Sequence, residues 1–374
     1  MCCKVINIHT MWTKVKSDHR CGLGSPVRVA RLLSVCTLLT IGAFALTPQR
    51  AVADESGVSF WLPGTFGSLA AVPVQPGMSA AMVYYHTTVS AGGDVSASRE
   101  IQLGAIGTTV NANLNASLNA TGDLFLVVPT YTFATPVFGG QAAFSLTGIY
   151  GRMSTSVAGT LSAGVGGIGF QRSGEISDAL TGFGDLYPQA TLKWNSGVNN
   201  YMIYAMGDIP VGAYDSTRLS NIGIGHGAID GGAGYTYFDQ TKGHEFSVVA
   251  GLTYNLENTS TNYQNGVDFH VDWGASQFLS QHFFVGAVGY LYDQIGCDSG
   301  SGDRVGCFES RVASIGPQIG YIFPVGNMQG FVGLKGYWEF AAQNRPEGWN
   351  TWLTFAISPA APTPPPPQSS LIHK

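Results

Sequence analysis

The stretch that decides the fold is Val110-Asn-Ala-Asn-Leu-Asn-Ala-Ser-Leu-Asn119, in which apolar and polar residues alternate at every position. Residues two apart share one face of an extended strand, whereas an α-helix would scatter them around its axis. The same alternation recurs in residues 245–257 and 267–275. The period of two therefore predicts β-strands with one apolar and one polar face.

The two faces of residues 267–275 differ in size as well as polarity. One face carries Phe269 and Trp273, and the other carries polar or small side chains. Nine to eleven residues is about the length that a tilted strand needs to cross a membrane. We therefore expect apolar faces to contact lipid and polar faces to line an aqueous lumen. The candidate lumen-facing residues are Asn111, Asn113, Asn115, Asp268, His270, Asp272, Lys193 and Lys335.

The composition excludes the commoner classes of protein. The 374-residue chain has 11% charged residues and 50 glycines, whereas soluble proteins have about 25% charged residues and about 7% glycine. So few charges cannot solvate the surfaces of several soluble domains, and 45% hydrophobic residues exclude disorder. Beyond residue 53, no apolar run is long enough for a spanning helix. An all-β membrane protein is the class that remains.

Residues 1–53 are expected to be an N-terminal extension and signal peptide. Arg28 and Arg31 precede the apolar run 32–46, and Ala51-Val-Ala53 forms a small-residue cleavage site. Removal of this leader takes away seven of the 18 basic residues but only one of the 23 acidic residues, which leaves a net charge of −11. A chain this acidic is not expected to bind nucleic acid, because such binding requires clustered Lys and Arg.

Residues 78–358 are predicted to form a closed antiparallel transmembrane β-barrel of 12–14 strands. Short turns alternate with longer loops, and in outer-membrane barrels short turns face the periplasm while long loops face outside. Pro188 and Pro317 fall inside candidate strands, where they mark bulges, strand starts or wrong boundaries, so the count could fall to twelve. The fourteen candidate strands are 78–90, 100–119, 123–134, 140–150, 156–170, 184–195, 198–210, 228–239, 244–257, 266–279, 282–292, 310–323, 330–341 and 349–358.

Segments outside the barrel flank it on both sides. Residues 54–77 hold an apolar cluster that would be a liability if it were exposed to the periplasm. We expect this segment to lie inside the barrel as a plug, or across its periplasmic mouth. Residues 359–374 are rich in proline and are expected to form an extended periplasmic tail. The plug candidates are Phe60, Trp61, Leu62 and Phe66.

Two cysteines remain after the leader. Cys297 and Cys307 bracket a Gly- and Ser-rich stretch in a protein sent to an oxidising compartment, so a disulfide in an extracellular loop is expected. Closing so short a loop contributes about 2–3 kcal/mol. Asp298 and Asp303 in this stretch could hold Ca²⁺, but solvated turn residues are the favoured interpretation.

Motifs for catalysis are absent from the sequence. Residues 164–169 match G-x-G-x-x-G, but no acidic residue follows at the spacing of a dinucleotide site, so we interpret them as a glycine-rich strand. Asp268, His270 and Asp272 could bind a cation, although a charged lumen wall is favoured. Its candidate counterions are Lys193, Lys335 and Arg152. We expect no enzymatic activity and no cofactor.

Several distinctive blocks of sequence are spread over the chain beyond the leader. They are Ser59–Pro73, Tyr131–Pro136, Gly182–Pro188, Gly207–Tyr214, Gly223–Gly232 and Gly348–Trp352. These blocks resemble the family called MetA-pathway of phenol degradation, which includes SphA-like outer-membrane transporters. By architectural analogy the chain is also similar to FadL-type channels for fatty acids and aromatic hydrocarbons, which carry an N-terminal plug.

The function expected from the resemblance is that of an outer-membrane channel. It implies passive uptake of small hydrophobic or aromatic solutes across the bacterial outer membrane, with a link to phenol degradation. The expected partners are outer-membrane lipid and the solute, and the chain is expected to act as a monomer. The alternative is a structural or adhesive barrel whose long extracellular loops bind a partner.

Overall fold

A computed structural model describes residues 59–360 with gaps at 104–105, 166–167, 304–305 and 308, and it describes side chains outside 93–114 and 163–170. The expected leader and nearly all of the proline-rich tail lie outside these residues. Among the described residues, no helix is both long and apolar enough to span a bilayer.

Twelve antiparallel strands form a closed barrel. Each strand pairs with the next along the chain, and the last strand pairs with the first. This confirms the predicted all-β fold class. The strands are β1 (Gly77–Leu103), β2 (Ile106–Thr132), β3 (Gln141–Val165), β4 (Ile168–Ser196), β5 (Asn199–Gly207), β6 (Ala228–Asp239), β7 (His244–Asn255), β8 (Asp268–Phe278), β9 (Phe283–Gln294), β10 (Arg311–Val325), β11 (Met328–Gln343) and β12 (Glu347–Pro359).

The first four strands are about twice as long as most of the others, and here the predicted boundaries were wrong. Residues 120–122 and 151–155 were expected to be turns and 171–183 a loop, yet all three lie inside paired strands. These stretches are rich in glycine and small polar residues, a composition that is typical of turns and loops. Gly151 instead allows close strand contact, because a Cβ there would lie 2.3 Å from the carbonyl oxygen of Asp123.

The connections alternate between the two ends of the barrel. Gly77 and Pro359 lie together at one end, and short connections at that end include 197–198, 240–243 and 326–327. The connections 208–227, 256–267 and 295–310 lie at the opposite end. An even strand count places both barrel termini in the periplasm, so we call these the periplasmic and the extracellular end. The expected disulfide Cys297–Cys307 lies in the extracellular connection 295–310.

The apolar outer face of β1–β4 ends at a sharp boundary. Four aromatic side chains lie side by side across these strands, in the order Tyr84, Phe125, Tyr150 and Phe183. Two residues further toward the extracellular end, the matching outward positions carry His86, Asp123, Arg152 and Thr181. Aromatic girdles mark the edge of the hydrocarbon layer. The lipid belt therefore ends at the aromatic row, and β1–β4 continue beyond it.

Pro188 and Pro317 do lie inside strands. Pro188 pairs with Leu146 of β3, and the pairing of β4 with β5 starts at the next residue, Gln189. Pro317 pairs with Ala287 of β9, and the pairing of β10 with β11 is interrupted between Ile315 and Gln318. Each proline thus lies beside an interruption of the ladder on one side of its strand, which is a place where sheets tolerate proline.

The lipid belt predicts that a charged side chain on the outer face lowers the free energy of unfolding by an amount that depends on its depth in the membrane. Val127 lies within the belt and is 50% exposed, so Val127→Arg should lower the free energy of unfolding by about 2–4 kcal/mol. Asn119 lies on the same face of β2 but beyond the belt, and Asn119→Arg should leave that free energy nearly unchanged. Urea unfolding in lipid vesicles, followed by tryptophan fluorescence, measures both. Equal costs for the two variants would contradict the position of the belt.

Candidate functional site

The inner wall of β6–β9 carries buried polar side chains. Asp268, His270 and Asp272 of β8 all point into the barrel and are at most 1% exposed. The Nε2 atom of His270 lies 2.7 Å from a carboxylate oxygen of Asp230 on β6. Asp268 accepts a hydrogen bond from the side-chain amide of Asn255. Alternation along β8 thus places these three side chains on one buried face.

The segment before β1 contacts this wall. Trp61 is 1% exposed, and its ring stacks on that of His270 with centroids 3.7 Å apart. Phe60 lies 5.5 Å from Tyr187 of β4, and Phe66 packs near Trp61. Leu62 is half-buried against the same cluster. We call residues 59–76 the N-terminal segment.

Asp272 and Lys335 hold the centre of the N-terminal segment from two sides. The backbone N–H groups of Gly64 and Phe66 donate to the two carboxylate oxygens of Asp272, at 3.0 and 2.9 Å. The ammonium of Lys335 donates to the carbonyl oxygens of the same two residues, at 2.6 and 3.3 Å. Gly64 has φ +89°, and a Cβ there would lie 2.9 Å from the Tyr337 ring. We call Asp272, Lys335 and the backbone 64–66 the latch.

The rest of the N-terminal segment is bonded in the same manner. The amide of Leu69 donates to Glu245, and the amide of Ala71 donates to the hydroxyl of Thr236. The ammonium of Lys193 donates to the carbonyl of Val72 at 3.3 Å. An irregular segment has no ladder partners, and buried backbone groups must find others. Here the polar side chains of the wall supply them.

An aromatic patch lines the wall beside the latch. Tyr85 and Trp352 have ring centroids 4.7 Å apart, and Tyr290 and Tyr337 have centroids 5.0 Å apart. The ammonium of Lys335 lies 5.0 Å from the centroid of the Trp352 ring, at cation–π distance. The hydroxyl of Tyr290 donates to Glu339 and accepts from Asn350. This part of the lumen is therefore aromatic, with the Tyr290 hydroxyl bonded on both sides and the Tyr337 hydroxyl buried without a hydrogen-bond partner among the described residues.

Not all the candidate lumen residues face the lumen. Asp268, His270, Asp272, Lys193 and Lys335 do. His270, Asp272, Lys193 and Lys335 contact the N-terminal segment, whereas Asp268 bonds to Asn255. Asn115 does not, because it is exposed and shares the face of β2 that carries Phe125 in the lipid belt. The side chains of Asn111 and Asn113 lie outside the described side chains.

Several wall residues were missed by sequence reasoning. Glu245 belongs to the alternating stretch 245–257, opposite Phe246, so its inward position was readable from the pattern. Asp230, Thr236 and Tyr204 lack such a signal, because β5 and β6 place glycines and tyrosines on both faces.

The extracellular connection 208–227 folds against the inner wall at the other end of the lumen. Asp185 of β4 is 1% exposed and accepts hydrogen bonds from the amides of Gly212 and Ile224, at 2.7 and 2.8 Å. Ile222 and Ile224 of the connection are buried in the same apolar cluster as Phe60 and Trp61. The connection 208–227 and the N-terminal segment therefore contribute to one apolar cluster against the inner wall.

Among the described residues, one group of side chains lies close enough to share a metal ion. It consists of Cys297, Cys307 and Glu309, all exposed. The two cysteines form the disulfide and have no thiolate to offer. Asp268, His270 and Asp272 bond instead to Asn255, Asp230 and the N-terminal segment, respectively.

The latch predicts a local change when its carboxylate is neutralised. Asp272→Asn replaces one of the two accepting carboxylate oxygens with an NH₂ group, which cannot accept a hydrogen bond from the backbone N–H that faces it. Hydrogen bonds to charged groups contribute about 1.5–3 kcal/mol each. Hydrogen exchange at the amides of residues 59–74 should therefore accelerate by about tenfold or more. Asp268→Asn, on the same face of β8 but bonded to Asn255, is the matched control and should leave this exchange unchanged. Equal acceleration in both variants would contradict the latch.

A second prediction concerns pH and the connection 208–227. Burial, with the nearby carboxylate of Asp185, raises the pKa of Asp208 from 3.8 to about 8. Between these pH values the folded connection holds a proton that the unfolded chain has lost, so its stability falls as pH rises from 4 to 8. Asp208→Asn should therefore slow hydrogen exchange of residues 208–227 relative to the parent chain, and by more at pH 8 than at pH 5.

The control for this prediction lies in the same connection. The backbone amide of Thr217 donates to the carboxylate of Asp215 and holds its pKa below the ordinary value. Asp215→Asn should accelerate exchange rather than slow it. An effect of Asp208→Asn that is the same at both pH values would show that ionisation of Asp208 does not weaken the connection.

Comparison with solved structures identifies the fold. The chain is similar to the COG4313 outer membrane channel from Pseudomonas putida F1, with a TM-score of 0.52 and 13% identity over 76% of this chain and 97% of that one. It is also similar to a Pseudomonas aeruginosa FadL homologue, with a TM-score of 0.31 and 12% identity over 83% of this chain and 96% of that one. No curated protein matches the sequence. The closed barrel and its lipid belt are those of a bacterial outer-membrane protein.

The family comparison covers most of the barrel. Residues 104–355, from the β1–β2 connection to the middle of β12, match one family model. This range contains every strand except β1 and the end of β12. The chain belongs to the family described as "Putative MetA-pathway of phenol degradation".

Proposed function

We propose that this protein is a channel for the passive uptake of small hydrophobic or aromatic solutes across the outer membrane. The observation that carries the proposal is the aromatic patch of Tyr85, Tyr290, Tyr337 and Trp352 beside the latch. Aromatic rings attract apolar solutes and stack on aromatic ones. The family membership and the channel fold support the same function, and phenolic or related compounds are the solute class that the family description favours.

The N-terminal segment is proposed to act as a plug. It is bonded to the wall through hydrogen bonds and ring contacts, so it can be released without breaking a covalent bond. Release leaves Asp272 and Lys335 facing each other across the vacated backbone position, where they can pair. This pairing lowers the cost of leaving the two charges without their backbone partners.

The proposal predicts uptake in intact cells. N-phenyl-1-naphthylamine is a neutral aromatic dye that fluoresces when it reaches the inner leaflet of the outer membrane. Cells that produce the protein should take up this dye several-fold faster than cells without it, and Asp272→Asn should accelerate uptake further because it weakens the latch. Asp268→Asn should match the parent chain.

A second arm removes the plug. In liposomes, a chain lacking residues 54–77 should admit arabinose, and the full chain should admit much less. Absence of dye uptake in cells together with absence of arabinose flux in the truncated chain would refute the channel. A phenotype that is lost on deletion of the extracellular connections, with no flux in either assay, would favour an adhesive barrel.

A further inference from the structure

The outer face of the first four strands changes character beyond the lipid belt, whereas their inner face stays apolar. Within the belt, outward side chains such as Val127 are apolar, and the inward side chains Val83, Leu124 and Ile149 belong to the buried apolar cluster. Beyond the belt, one cross-strand row on the outer face is Ser90, Asn119, Ser156 and Ser177. The adjacent row on the inner face is Ala91, Leu118, Val157 and Ile176. Water faces the outer row, and an apolar surface forms inside; we call the inner four residues the apolar row.

The apolar row is uncovered in the described part of the chain. Ile176 is 70% exposed, and the other three side chains are half-buried. A Cβ added at Gly174, two residues further along β4 on the same face, would meet nothing within 4 Å. Contiguous apolar surface that is exposed to water marks a ligand-binding or interaction site.

The apolar row is continuous with the lumen. Four residues closer to the belt on the same face, the cross-strand neighbours are Thr87, Gly122, Met153 and Leu180. Met153 and Leu180 pack against the buried cluster that contains Ile222 and Ile224. A solute on the apolar row is therefore a few residues away from the interior of the barrel.

One ion pair separates the two regions. Asp178 lies on the inner face of β4 between Ile176 and Leu180, and the guanidinium of Arg218 donates to both of its carboxylate oxygens, at 3.1 and 2.6 Å. The amide of Ser220 donates to the same carboxylate. Arg218 and Ser220 thus bond the connection 208–227 to β4 directly below the apolar row. The guanidinium also neutralises the charge of the Asp178 carboxylate. Arg172 is the next charged side chain along this face of β4.

We propose that the apolar row is the extracellular binding site at which a neutral apolar solute, such as a small aromatic hydrocarbon, is captured before it passes the connection 208–227. The proposal rests on the proposed channel function and adds the place of first binding. The row lies on the inward-facing side of the four-stranded extension that β1–β4 form beyond their pairing with β12 and β5. This side leads into the lumen, which suits a small solute on its way inward. The neutralised ion pair favours an uncharged ligand.

The test compares neighbouring residues on opposite faces of β4. Ile176→Cys places a thiol in the apolar row, and Ser177→Cys places one on the outer face of the same strand. Intact cells are labelled with a membrane-impermeant maleimide with and without naphthalene. The parent chain serves as the blank, since Cys297 and Cys307 are joined in a disulfide. Heat-modifiable migration in gels verifies that each variant forms the barrel.

Naphthalene should slow labelling of Ile176→Cys by roughly threefold at about twice its Kd, because the protected fraction follows simple mass action. Labelling of Ser177→Cys should not change. Val157→Cys and Ser156→Cys repeat the comparison on β3, in the same two rows, if a β4 variant fails to fold. Unchanged labelling in the row, or equal slowing on both faces, would overturn the proposed site.

The two experiments distinguish failure of the proposed binding site from failure of the proposed channel function. Dye uptake without protection of the apolar row would leave the channel intact and refute the capture site. Protection of the row, with neither dye uptake in cells nor arabinose flux in the truncated chain, would support binding at the row and refute transport.

Discussion

The hydrocarbon of a membrane offers no hydrogen-bond partner, and the whole structure depends on that constraint. Every backbone N–H and C=O within the belt must be bonded inside the chain, because each unsatisfied group costs several kcal/mol there. Pairing of β12 with β1 removes the last open edge. The same pairing encloses a lumen, so the inner wall that the N-terminal segment contacts is a consequence of backbone hydrogen bonding.

The constraint applies again inside the barrel, with a different solution. The N-terminal segment has an irregular backbone, so its amides and carbonyls bond to side chains that project from the wall. Asp272 and Lys335 bond two amides and two carbonyls of residues 64–66, and Glu245 and Thr236 bond the next part of the segment. The polar inner wall and the irregular segment thus satisfy each other, which explains why buried carboxylates occur here at all.

Much of this was predictable from local pattern. Alternation in 245–257 and 267–275 predicted β7 and β8 and the inward position of Asp268, His270 and Asp272, because a period of two places alternate side chains on one face. The contacts were not predictable: Asp272 meets Gly64 across 208 residues of sequence. The length of β1–β4 was also missed, because a strand beyond the belt needs no apolar outer face and its small polar residues resemble a turn.

The sequence by itself determined that residues 110–119 form a strand with one apolar and one polar face. Only the tertiary structure decided which face points inward. On β8, within the belt, lipid requires the apolar face outside and Asp272 turns to the lumen. On β2, beyond the belt, water surrounds the outer face, so Asn115 and Asn119 point outward and Leu118 points inward. The depth of a residue relative to the lipid is a property of the assembled barrel, and it cannot be read from the alternation within a single strand.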